Sequence, residues 1–202
     1  MKLLFFDLEN ATGGKSKKIC EFGYVLVDDH FSILEKGNMI INPNILRNEW
    51  DWYVVRKVLT KKKAEYEASQ TFDFYYQKIK ELINSADCVI GHSVKGDVIA
   101  LNEECKRYEL SNLNFEFYDE CDIFQVFMKS KQKRSVNNIL YDLGVQPEGK
   151  EHDAESDAYN TMLGIRTMIE KTGKNTKDFF KNNSKAKGEN KDSIIYCENQ
   201  KA

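Results

Sequence analysis

Several things are scarce or missing in this sequence, and each absence narrows its class. None of the five cysteines pairs with another as C-x-x-C, which argues against a zinc knuckle or a thioredoxin-like motif. An odd thiol count in a chain of 202 residues fits reduced, mostly buried cysteines in a cytosolic protein. No apolar run approaches the ~20 residues of a membrane span. The opening run Met1–Phe6 stops at Asp7, short of the roughly 7–15 residues of a secretory h-region. The expectation is a soluble, cytoplasmic chain with no membrane partner. Charge of one sign is also lacking: 30 Lys and Arg face 32 Asp and Glu, a formal net charge of −2. A polyanion would therefore have to be met by local basic patches. No internal repeat is visible.

What is present suffices for a core, with 41% hydrophobic and 12% aromatic residues. "KLLFFDLE", "ICEFGYVLVD" (19–28) and "ILEKGNMIIN" (33–42) read as three strands in an antiparallel meander. Residues 47–71 are charged and ambiguous. Helical spacing places Phe72, Tyr76, Ile79 and Ile83 on one face. "DCVIGHS" (87–93) reads as a buried strand, 97–108 as a helix, and "NFEFYDECD" as another strand. A short helix over 135–145 stops at Gly144, and a longer one covers 153–171. Strands followed by alternating helices and strands predict an α/β fold with a mixed sheet covered by helices. From residue 174 the chain turns Lys/Asn-rich. The expectation is a domain over 1–173 and a flexible tail over 174–202, with "SIIYC" (193–197) a short apolar exception.

The chemistry-bearing residues begin with Asp7 and Glu9, which share a strand face because side chains alternate. Two close carboxylates repel, so something must compensate. "GGKS" (13–16) is a decoy: it ends like a phosphate-binding loop, but the Gly required at position 9 is Glu9. Asp97 follows a buried strand and opens a helix. On its own it reads first as an ordinary helix-start acid, favoured by the dipole, and second as a metal ligand at a strand's end. In "HDAESDA" (152–158), Asp153 suits a helix cap, His152 sits just outside the helix, and Asp157 lies in its first turns. Converging carboxylates suit Mg²⁺ or Mn²⁺, which prefer oxygen ligands.

Asp7-x-Glu9, His92-x-x-x-x-Asp97 and His152-x-x-x-x-Asp157, in that order, resemble the motifs of the DEDDh 3′→5′ exonucleases. The resemblance covers roughly residues 1–170. It implies a ribonuclease H-like mixed five-stranded sheet flanked by helices. It further implies two divalent ions, Mg²⁺ or Mn²⁺, held by Asp7, Glu9, Asp97 and Asp157, with His152 as general base. The implied activity is metal-dependent hydrolysis of DNA or RNA from a single-stranded 3′ end, releasing nucleoside 5′-monophosphates. A polymerase or homodimer partner is compatible with it. Asn10 and Thr12, in the loop after the first acids, are expected to contact the terminal nucleotide. Lys131, Lys133 and Arg134, in the basic run "KSKQKR" (129–134), are expected to contact phosphates. The second motif departs from the family pattern: Ser93 stands for the usual Asn and Gly96 for the usual Phe. His92 reads as structural. The competing interpretation is a noncatalytic nucleic-acid-binding or polymerase-associated module on the same fold.

Overall fold

The computed structural model describes residues 1–14 and 17–191. Strands β1 (Lys2–Asn10), β2 (Ile19–Asp28) and β3 (Ile33–Ile40) form the expected antiparallel meander. β1 then pairs in parallel with β4 (Cys88–Gly91), and β4 in parallel with β5 (Phe115–Asp119). A further strand, β6 (Lys187–Asn190), adds antiparallel to β5. The sheet is therefore mixed, in the order β3-β2-β1-β4-β5-β6, with six strands rather than the expected five.

Helices cover both faces. Before them, residues 54–58 form a short π-helical turn, and α1 spans Lys63–Glu67. α2 (Phe72–Ser85) and α3 (Lys95–Arg107) pack on one side, over Leu4, Phe6 and Leu8 of β1. α4 (Glu120–Met128), α5 (Val136–Leu143) and α6 (Ala154–Thr172) pack on the other, over Leu3 and Phe5. The sequence predicts that the fifth strand runs through residue 122, but the chain turns into α4 at Glu120. Asp119 caps that helix, its side chain accepting from the Cys121 N–H at 3.0 Å, which satisfies a donor the helix start would leave open.

The sixth strand comes from the stretch whose composition suggested a loose tail. Phe179 and Phe180, on α7 (Thr176–Asn182), are buried in the same core as α6. β6 has no alternating apolar pattern. Asn190 anchors it, exchanging hydrogen bonds with Asn102 at 2.7 and 3.0 Å and donating to the Leu113 carbonyl at 2.5 Å. Edge pairing through the backbone needs little side-chain signal, so a Lys/Asn-rich composition concealed it. "SIIYC" lies outside the described residues. No helix among the described residues is long and apolar enough to cross a membrane.

Gly23 fixes the distance between sheet and helix near the acids. Asp7 faces Gly23 across the β1–β2 ladder. A Cβ at Gly23 would stand 1.9 Å from the Ala154 carbonyl carbon, so the N-terminus of α6 rests on bare backbone. Gly23→Ala is expected to cost at least about 1–3 kcal/mol in urea denaturation, the usual penalty of overpacking. It should also lift the start of α6, and Asp157 with it, away from β1. An unchanged denaturation midpoint would remove this account.

Candidate active site

Strand alternation puts Leu3, Phe5, Asp7 and Glu9 on the face that α6 covers, so the apolar row ends in two acids beneath the helix N-terminus. Asp157 enters from the first turn of α6. His152 precedes that helix in a left-handed backbone conformation, φ 63°, which non-glycine residues adopt sparingly. Its backbone N–H donates to Asp157 Oδ2 at 2.9 Å, and its Nδ1 lies 3.8 Å from Glu9 Oε1. Glu9, His152 and Asp157 offer ligand atoms that all fall within 4.8 Å of one another. Asp7 joins them along a cleft of about 260 Å³, with His92 and Asn137 on its walls. Asp97, in the first turn of α3, is the strongest charged neighbour of Asp7. The three motifs thus converge at one end of β1.

The cluster is electrostatically tense. Burial raises the Asp7 carboxyl well above the usual carboxylate range, and Asp97, Glu9 and Asp157 push the same way. Glu9 is pushed up to about 8 by burial and by Asp157 and Glu21. Burial raises Asp97 to about 7 even though Lys17 and His92 oppose it. Asp157 rises to about 6 for the same reason, against the His152 hydrogen bond. Carboxylates that share a site cannot all ionise without a counter-charge, and a carboxylate-rich set with one imidazole beside it suits a hard divalent cation. The residues fit such ions on that ground.

The pH consequence has a definite sign. Unfolded carboxyls titrate near 4, so here the folded state binds protons more tightly. That advantage is full below about pH 4 and is lost as pH rises through the folded values, up to about 8. Asp153, whose carboxyl is lowered, acts in the opposite sense but at lower pH. The melting temperature of cation-free protein should fall between about pH 5 and pH 8.5. Mg²⁺ or Mn²⁺ should restore it at the upper pH and change little at the lower. A flat profile with no cation effect would contradict this.

One acid and its partners escaped the sequence reading. Glu21 is fully buried on β2, directly opposite Glu9. It accepts hydrogen bonds from the Tyr66 hydroxyl, from Asn38 Nδ2 at 2.5 Å and from Lys61 Nζ at 3.1 Å. Lys61 also donates to Asp153 Oδ1 at 2.8 Å, and Asp153 caps α6. This bridge ties the sheet, the segment before α1 and the helix carrying Asp157 into one unit. A lone Glu in the apolar run "ICEFGYVLVD" was the available signal. Lys61→Ala leaves Glu21 without a cation and is expected to cost on the order of 3 kcal/mol by chemical denaturation, as removing one partner of a buried pair does.

The remaining candidates divide. Asn10 Oδ1 is buried with no hydrogen-bond partner, next to Glu9. Thr12 Oγ1 accepts the Lys18 N–H at 3.0 Å and so closes the loop after β1. Lys131 lines a separate cleft with Lys129 and Lys185. Lys133 is exposed, and Arg134 Nε pairs with Asp142 at 3.0 Å. Ser135 and Val136, the next residues, line the acidic cleft, so only the end of the basic run approaches it. His92 Nδ1 sits 3.0 Å from Glu120 Oε2. Burial alone would lower its imidazole, but the Glu120 hydrogen bond and charge outweigh that and the net direction is up. The space at Gly96 is used by Lys17: a Cβ there would stand 2.9 Å from Lys17 Nζ, which lies 3.9 Å from Asp97 Oδ1.

Comparison with known proteins places this geometry. The RNase_T family model, described as an exonuclease, matches residues 4–163. No curated protein sequence matches significantly. Among solved structures, the nuclease domain of 3′hExo, a DEDDh family member bound to rAMP, is 15% identical with a TM-score of 0.73, over 85% of this chain and 92% of that one. Cell-death related nuclease 4 (CRN-4) is 16% identical with a TM-score of 0.68, over 84% of this chain and 64% of its own. E. coli Exonuclease I, in complex with a dA16 oligonucleotide, is 15% identical with a TM-score of 0.68; the match covers 89% of this chain and 42% of that enzyme.

Proposed function

The chain belongs to the RNase_T exonuclease family and has the fold of the DEDDh 3′-exonucleases; on that premise we propose that it is a metal-dependent 3′→5′ exonuclease acting on single-stranded DNA or RNA. The observation that carries this reading is the convergence of Asp7, Glu9, Asp97, Asp157 and His152 at one end of β1. Support for a nucleic-acid substrate comes from the neighbours, which include an exonuclease on a histone mRNA stem-loop and one on a dA16 oligonucleotide.

In this reading Asp7, Glu9, Asp97 and Asp157 hold two divalent ions, Mg²⁺ or Mn²⁺. Bound there, such ions would supply Lewis acidity for phosphoryl transfer. His152, on its exposed turn beside Glu9, takes the proton from the attacking water. The water oxygen bonds to phosphorus, the bond to the 3′-oxygen breaks, and that oxygen takes up a proton. The products are a nucleoside 5′-monophosphate and a strand one nucleotide shorter. In the same reading Asn10, beside Glu9, contacts the terminal nucleotide, and Lys133 meets the phosphates.

The test is digestion of end-labelled strands with free and blocked 3′ ends in Mg²⁺ and in Mn²⁺. A ladder from free 3′ ends alone supports the reading. Cutting of blocked strands indicates an endonuclease, binding without cleavage indicates a noncatalytic module, and full activity in excess chelator removes the metal mechanism.

A further inference from the structure

We propose that the outward face of residues 52–57 is a stacking platform for the unpaired bases of a nucleic-acid strand leading into the acidic cleft, an inference that rests on the nuclease reading above. The segment has two distinct faces. Trp50, only 8% exposed, packs in a small core with Ala11, Cys20 and Tyr66, and Val55 and Leu59 lie against it. Trp52 and Tyr53 point the other way, 63% and 62% exposed, and Arg56 and Lys57 are exposed one turn on. The core does not require the second pair of aromatics. Leaving two large rings, neighbours in sequence, exposed to water is unfavourable unless something covers them.

The face is built rather than loose. The Asp51 carboxylate accepts the N–H groups of Tyr53 at 2.8 Å and Val54 at 3.1 Å, which sets the turn. The Arg56 guanidinium lies 5.1 Å from the centre of the Trp52 ring. It supports one face of the indole, leaves the other to solvent and places a cation beside it. Arg56 and Lys57 form no ion pair among the described residues. From Trp52 to Ala64 the chain has Arg56, Lys57, Lys61, Lys62 and Lys63 and no acid. Aromatic faces interleaved with cations are what a single strand requires, because every base has a π-face and every linkage a negative charge.

Its position agrees. The Asp51 N–H donates to the Ala11 carbonyl at 3.1 Å, two residues beyond Glu9. At the other end, Lys61 bonds Glu21 and the α6 cap Asp153. One end is thus fastened to the β1 backbone just past Glu9, and the other to two carboxylates beside the cleft acids, Glu21 opposite Glu9 and Asp153 at the start of the helix that carries Asp157. A duplex keeps its bases stacked on each other and would gain little from this face. A second copy docked two-fold on the same patch would oppose like charges.

The experiment uses the full chain, in excess chelator so that no strand is consumed. A single strand of about 12 nucleotides should quench the tryptophan fluorescence, and a blunt duplex should not. Trp52→Ala with Tyr53→Ala should weaken single-strand binding about tenfold or more. Trp52→Phe with Tyr53→Phe should largely retain it, and Phe74→Ala, an exposed ring on α2, should change nothing. With Mg²⁺, the alanine pair should raise KM on the long strand far more than on a dinucleotide. Equal affinity in wild type and the alanine pair, equal quenching by duplex, or a dimer that the alanine pair abolishes would each overturn the platform. Failure of the nuclease reading looks different: no strand of any length is cut, while the binding arm still reports on this face.

Discussion

Asp7→Ala is expected to reduce turnover about a thousandfold or more and, in the same protein, to raise the melting temperature of the cation-free form near pH 8. The first effect follows from the several kcal/mol that a bound divalent ion contributes to a phosphoryl transition state, at about 1.4 kcal/mol per decade of rate. The second follows from the site's electrostatics. Asp7 is surrounded by Asp97, Glu9 and Asp157, and burial has already raised it. Removing one carboxyl relieves repulsion on the others and spares the desolvation of a charge. Turnover on an end-labelled strand and a thermal scan, each with and without Mg²⁺, check both halves. A variant that is inactive and destabilised without cation would indicate that Asp7 is a folding residue. The scan should also show the cation-induced gain in melting temperature shrinking if Asp7 is a ligand, as proposed.

His152→Gly is expected to lower kcat by about 10²–10⁴, the usual contribution of a general base, while leaving most of the cation-induced thermal shift in place. The backbone favours this choice of variant. At φ 63° a glycine is at ease, so the N–H that donates to Asp157 stays where it is while the imidazole is removed. Added imidazole should recover part of the lost rate by occupying the vacated space. Loss of the cation shift together with failure of imidazole rescue would make His152 a ligand rather than a base, a role its place in the Glu9–Asp157 cluster would then explain.

The shared face of Asp7 and Glu9 was legible from local rules, whereas Asp97, Asp157 and His152 were joined to them only by the resemblance that three motifs in order carry. Two acids spaced i, i+2 at the end of an apolar run share a face by strand geometry alone, and Asp7 and Glu9 do. Asp97 and Asp157 open helices, where position is set by the first turn. The flanking elements were legible for the same reason: the 3.6-residue period marked α2, α5 and α6 to within a few residues. Glu21 was not, because a single acid within a buried strand carries no sign of whether it is paired. Tyr66 and Lys61, its partners, are 45 and 40 residues away.

The sequence by itself determined the α/β class and the antiparallel opening of the sheet, which depend on periodicity, and its three motifs in order carried the resemblance that named four acids and a histidine together. Only the tertiary structure decided the rest. Composition has no way to show that a polar segment, 187–190, can complete a sheet edge through its backbone, or that Phe179 and Phe180 reach the α6 core. Nor does it show that Lys17 fills the space beside Gly96, or that Trp50 turns inward while Trp52 turns out. Each of these depends on contacts between residues far apart in the chain, where the free energy lies in the meeting of two surfaces and neither surface announces it alone.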